Sequence, residues 1–125
     1  MALQPSIIVV DDETDIRDLL VEWLGEAGYD VLAAADPAAA LALLDGNPAI
    51  ELLLTDIVMP GGLNGFDLAR RAQRHRPALK VIFISAYSMA EAVLQARPQA
   101  EPILRKPFRH GQLVTEVRRA LSASA

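Results

Sequence analysis

Residues 50–56 read Ile-Glu-Leu-Leu-Leu-Thr-Asp. This is a short, almost continuous apolar run that ends in a carboxylate. Such a run suits a strand covered on both faces, as in a parallel sheet. In open parallel sheets the working groups stand just beyond the carboxyl ends of the strands, and Asp56 falls there. Three other runs end the same way. Ile7 to Val10 leads into Asp11-Asp12, Val81 to Ile84 into Ser85, and Ile103 to Arg105 into Lys106. Four strands therefore carry three acids, a hydroxyl and an ammonium to one rim.

The composition bounds the reading. A chain of 125 residues is one domain of ordinary size, spanning 1–125 with its core at about 6–121. Hydrophobic residues make up 52%, enough for a core, and the 5% aromatic content makes that core mainly aliphatic. A net charge of −4 argues against a nucleic-acid-binding surface. There is no cysteine, so neither a disulfide framework nor thiol chemistry is expected. No apolar stretch is long enough for a bilayer and no signal peptide precedes the first strand, so a cytoplasmic protein without membrane contact is expected. Frayed ends are expected at Met1 to Pro5 and Ser122 to Ala125.

Helical patterns alternate with these strands. Thr14 or Asp15 is expected to cap a first helix in which Ile16, Leu19, Leu20, Trp23, Leu24 and Ala27 recur at helical spacing, with Gly28 as its stop. Val31 to Ala35 reads as a strand of small residues. Asp36 caps and Pro37 opens a second helix through Leu44, and Gly46-Asn47-Pro48 is a turn. A loop rich in turn formers, Met59 to Gly65, leads to a third helix from about Phe66 to His75. Lys80 to Ala86 is the next strand. Met89 to Ala96 has short helical character before Pro98 and Pro102, and a fifth helix covers about Gly111 to Leu121. Strict alternation predicts an α/β fold with a parallel sheet.

The rim residues suggest a chemistry. Asp11, Asp12 and Asp56 repel one another unless a cation compensates, and magnesium, which takes carboxylate oxygens, is such a cation. An adjacent pair such as Asp11-Asp12 also serves as a plain helix cap; Asp56 on a second strand tips the reading toward metal. Asp56 is then a ligand only, or also a nucleophile, since carboxylates form acyl phosphates. Lys106 suits neutralisation of phosphoryl oxygens, and Pro107 permits a cis bond after it. Ser85 is able to donate to such an oxygen, or is an ordinary turn serine. The Gly61 to Gly65 loop lacks phosphate-loop spacing. His75 and His110 have no metal partner at helical spacing.

Taken together, Asp11-Asp12 after the first strand, Asp56 followed by Met59-Pro60 and glycine, Ser85 after the fourth strand and Lys106-Pro107-Phe108 after the fifth resemble the receiver domain of bacterial response regulators. The resemblance covers nearly the whole chain. It implies a doubly wound, flavodoxin-like five-stranded sheet in the order 2-1-3-4-5. It implies that Asp56 accepts a phosphoryl group from a histidine kinase or histidine phosphotransfer domain in a phosphorelay. Magnesium would be held by Asp11, Asp12, Asp56 and the backbone carbonyl of Val58, with Ser85 and Lys106 on the phosphoryl oxygens. A downstream partner would dock on the helix 4–strand 5–helix 5 face, with Ser85 and Ile103 as the switch pair. Three departures stand out, one being that the segment between Ser85 and Lys106 is Pro-rich at its end. Ile103 occupies a position where the family usually has Tyr or Phe. Gly61-Gly62 adds a glycine and Asn64-Gly65 replaces the common Asp-Gly, as in receivers attached to hybrid kinases; a stand-alone regulator is the other expectation.

Two rival readings follow from the same residues. A magnesium-dependent phosphatase with an aspartate nucleophile needs an acid two residues after it, where this chain has Val58. An unphosphorylated receiver-like interaction domain has no need of all five filled site positions. The sequence therefore reads as a phosphoacceptor signalling domain and not as a turnover enzyme.

Overall fold

The computed structural model describes residues 6–59, 64–86, 95 and 101–122. In chain order the elements are β1 (Ile7–Val10), α1 (Thr14–Glu26), β2 (Val31–Ala34), α2 (Pro37–Gly46), β3 (Leu52–Asp56), α3 (Gly65–His75), β4 (Lys80–Ser85), β5 (Ile103–Arg105) and α4 (His110–Ser122). The five strands form one parallel sheet in the order β2-β1-β3-β4-β5, as expected. The helix expected at Met89 to Ala96, the Gly61-Gly62 loop and the frayed ends lie outside the described residues, apart from Gln95 and Ser122, which are helical.

Strand periodicity explains the layering. Successive side chains point to opposite faces, so each buried strand feeds two cores. Ile8, Val10, Leu53, Val81 and Phe83 face one layer with Ala40 and Leu44 of α2 and Phe66, Ala69 and Ala72 of α3. Phe66 and Phe83 meet edge to face at 4.9 Å there. Ile7, Val9, Leu52, Leu54, Ile82 and Ile84 face the other with Leu20 and Leu24 of α1 and Leu113 and Val117 of α4. None of β1 or β3 is solvated, which is why both read as unbroken apolar runs.

Element ends show where local rules held. Asp36 accepts from Ala39 N at 2.8 Å and Pro37 opens α2, as its sequence predicts. That helix runs on to Gly46, so the expected turn begins at Asn47, whose N–H bonds Leu44 O. Gly28 adopts φ +97° just beyond α1, a conformation that suits glycine. β3 starts at Leu52 and not at Ile50, because Ile50 N bonds Asn47 O in the preceding turn. β2 stops at Ala34 and β4 at Ser85, each one residue early.

The expected cap of α1 is corrected. The N-cap is Glu13, with no side-chain cap bond of its own, and neither Thr14 nor Asp15 serves. Asp11 Oδ1 instead accepts from Glu13 N at 2.8 Å. Arg76 clamps the turn between α2 and β3, donating to Leu44 O, Asn47 O and Ile50 O.

These ends carry a testable contrast. Asp36→Ala should lower the unfolding free energy by about 1 kcal/mol through loss of the cap. Thr14→Ala should stay within about 0.5 kcal/mol. Urea unfolding midpoints of the two variants check both; equal losses would contradict the assignment.

Candidate functional site

The ladder register builds the rim. Val10 pairs with Thr55, so Asp11 and Asp56 emerge side by side. Asp56 pairs with Ile84 and Ser85 with Arg105, so Ser85 and then Lys106 emerge on the other side of Asp56. Asp11 is fully buried and Asp56 is 6% exposed, while Asp12 faces solvent. Carboxylate oxygens of Asp11, Asp12 and Asp56 lie within 4.8 Å of one another.

Lys106 reaches across this group. Its Nζ lies 3.4 Å from Asp56 Oδ2, 3.3 Å from Asp11 Oδ2 and 3.1 Å from Glu13 Oε1. It donates hydrogen bonds to Glu13 and Asp56. Asp11 Oδ2, although close, is buried with no hydrogen bond among the described residues. Ser85 Oγ is likewise buried and unbonded. The peptide bond between Lys106 and Pro107 is cis. Phe108 then meets Trp23 of α1 edge-on at 6.2 Å, and Trp23 meets His110 at 5.3 Å.

Burial without full compensation shifts the charges. Burial pushes the Asp56 carboxyl up to about 6; Lys106 opposes this, and the neighbouring Asp11 adds to it. Asp11 is also raised, mainly by burial, against its Glu13 amide bond and Lys106. Burial pulls Lys106 down, but Asp56, Asp11 and Glu13 outweigh it and hold the ammonium above its ordinary value.

The donor set fits magnesium. All three side chains offer hard carboxylate oxygens within 4.8 Å of one another, and the buried Asp11 Oδ2 has only the Lys106 ammonium, 3.3 Å away, to answer its charge among the described residues. Val58, whose carbonyl is the expected fourth ligand, is 63% exposed. Ile103, the expected switch residue, is half-buried against the α2–α3 core layer.

Three contributors were not anticipated. Glu13 was not expected to share Lys106. Thr55 Oγ1 donates to Asp56 O at 2.9 Å, fixing the backbone beneath the acid. Gly65 N donates to Ile57 O at 2.7 Å, and a Cβ at Gly65 would collide with the carbonyl of Asp56. The Asn64-Gly65 pair is the sequence signal for this approach, since Asn64 also caps α3 through Asp67 N.

Comparison with known proteins bears on this site. The family model of the response regulator receiver domain matches residues 7–118. The response regulator receiver protein CpdR of Brucella abortus (strain 2308) is 38% identical over 119 residues, covering 94% of this chain and 98% of that protein. The DNA-binding transcriptional regulator NtrC of Bradyrhizobium sp. (strain RP501 Parasponia) is 38% identical over 118 residues, but the chain spans only 24% of its length. Among solved structures, a response regulator receiver protein from Sinorhizobium medicae WSM419 superposes with a TM-score of 0.88 at 29% identity, covering 98% of both chains.

The raised Asp56 pKa predicts a pH-dependent cost. The carboxyl titrates at 3.8 when unfolded and at about 6 when folded, so its contribution is whole below 3.8 and lost as pH rises through about 6. In chelator, Asp56→Asn should stabilise the protein by about 1–2 kcal/mol at about pH 7.5, allowing for screening. The gain should vanish below pH 4, roughly the ordinary carboxyl value. Denaturant unfolding at both pH values checks it; a gain independent of pH would contradict the charge argument.

Proposed function

The chain belongs to the response regulator receiver domain family, and on that premise we propose that it is a phosphoacceptor whose reacting group is Asp56. One observation carries the reading: a buried carboxylate, at the end of the central strand, faces an ammonium while two further carboxylates stand within 4.8 Å.

A magnesium ion held by Asp11, Asp12, Asp56 and the Val58 carbonyl would supply positive charge for the phosphoryl oxygens. The chain's own groups do the rest. An Asp56 oxygen attacks phosphorus and forms the O–P bond. The bond to the donor histidine nitrogen breaks, and that nitrogen keeps the electron pair. Lys106 turns its ammonium from Asp56 Oδ2 to a phosphoryl oxygen, and the Ser85 hydroxyl, which has no bond among the described residues, donates to another. The donor is a histidine kinase or a histidine phosphotransfer domain. Thr55 and Gly65 keep the Asp56 backbone in place throughout.

Signal output needs two states of different free energy. The motion of the Ser85 hydroxyl toward the phosphoryl group is the first step. Ile103 packs where an aromatic ring is usual, and its β-branch restricts χ1, so the change passes to β5 without a ring swing. A partner then docks on the face that carries β5 and α4. Turnover as a phosphatase is disfavoured because Val58, two residues after Asp56, offers no carboxylate to a leaving group.

Labelling tests the reading. Magnesium with a small phosphodonor should give a hydroxylamine-labile adduct on the wild-type chain, and Asp56→Asn should abolish it. Chelation of magnesium should suppress labelling at least about tenfold, as loss of charge stabilisation in transfer implies. Undiminished labelling of Asp56→Asn, read by intact-mass spectrometry, would sink the proposal.

A further inference from the structure

Charge is divided along this chain. Residues 1–69 hold 13 of the 16 acids and one of the 12 bases, so residues 70–125 carry the other 11 bases with three acids. The fold keeps most of the two populations apart, with Lys106 bridging them at the rim. The acidic part supplies β2, β1 and β3 with α1, α2 and the first turn of α3, and the basic part supplies β4 and β5 with the rest of α3 and α4.

Two surfaces on opposite faces of the sheet concentrate this division. On α1 the solvent side is acidic: Asp15, Glu22 and Glu26 are exposed and lie at helical spacing around Leu19, which is half-buried. On the other face, α2 and α3 border a hollow of about 380 Å³ lined by Leu41, Asp45, Arg71, Arg74 and His75. Arg70 beside it is committed to Asp67 at 2.8 Å. Arg71, Arg74 and His75 make no ion pair among the described residues, and all three are exposed. One surface is thus a half-buried leucine ringed by acids, and the other a hollow ringed mainly by bases with Leu41 in its wall.

We propose that these surfaces are complementary to each other in two copies of the chain: the α1 face of one copy seats on the α2–α3 hollow of the next. Leu19 enters over Leu41, and Glu22 and Glu26 meet Arg71 and Arg74. The two patches differ, so the contact is heterologous and head-to-tail and does not close as a two-fold dimer. It is weak and salt-sensitive, since exposed ion pairs are screened.

Sedimentation velocity on the purified full chain at millimolar protein tests this. Weight-average mass should rise toward twice the monomer or beyond at about 20 mM salt, and fall to the monomer at about 500 mM. Arg71→Glu with Arg74→Glu, and separately Glu22→Lys with Glu26→Lys, should each be monomeric at low salt. An equimolar mixture of the two double variants should associate again, because the reversed charges match. Circular dichroism confirms that the variants are folded, and the wild-type salt series stands even where one is not. A monomer at every salt concentration would overturn the proposal. So would association that survives both double variants, or low-salt capture of a short DNA duplex by Arg71 and Arg74 without self-association.

Discussion

A parallel strand covered on both faces has only its ends left for polar chemistry. β1 and β3 are buried along their whole length, and β4 is buried beyond Lys80. Helices must lie on both faces to achieve this, and each helix must return the chain to the same starting edge. All five strands therefore finish at one rim. The site's location follows from burial, and the ladder register then decides which side chains are neighbours.

Crowding at that rim creates its electrostatics. Asp11 and Asp56 are both withdrawn from water, and one ammonium answers both while also meeting Glu13. A buried carboxylate left short of counter-charge holds its proton more tightly, which is what Asp56 does. The fold is thus strained in favour of anything that brings positive charge to these oxygens. Thr55 and Gly65 act on a different level: one bonds the Asp56 carbonyl and the other packs against it, so both hold the backbone beneath the acid.

Much of this was legible in the residues themselves. Unbroken apolar runs identified β1 and β3, and Asp36-Pro37 located the start of α2, because those signals depend only on local chain physics. The grouping of Asp11, Asp12, Asp56, Ser85 and Lys106 followed once the strands were parallel. What escaped depends on tertiary reach. Glu13 touches Lys106 across 93 positions of sequence, and nothing local announces it. The capping of α1 was misplaced because the N-cap is Glu13, which makes no side-chain cap bond, while Asp11, three residues before the helix, holds the Glu13 amide. Arg76 was invisible as a clamp because its three acceptors are backbone carbonyls, which every residue has.

Trp23 is the only tryptophan in the chain. Its indole lies against Phe108, two residues beyond Lys106, and against His110 at the start of α4. The molecule therefore has a built-in optical probe at the joint between α1 and the loop that carries the ammonium. Light emitted at this one position varies with the packing of those rings. Displacement of Lys106 and its loop can be followed in real time on the unlabelled protein, against a background of only two tyrosines.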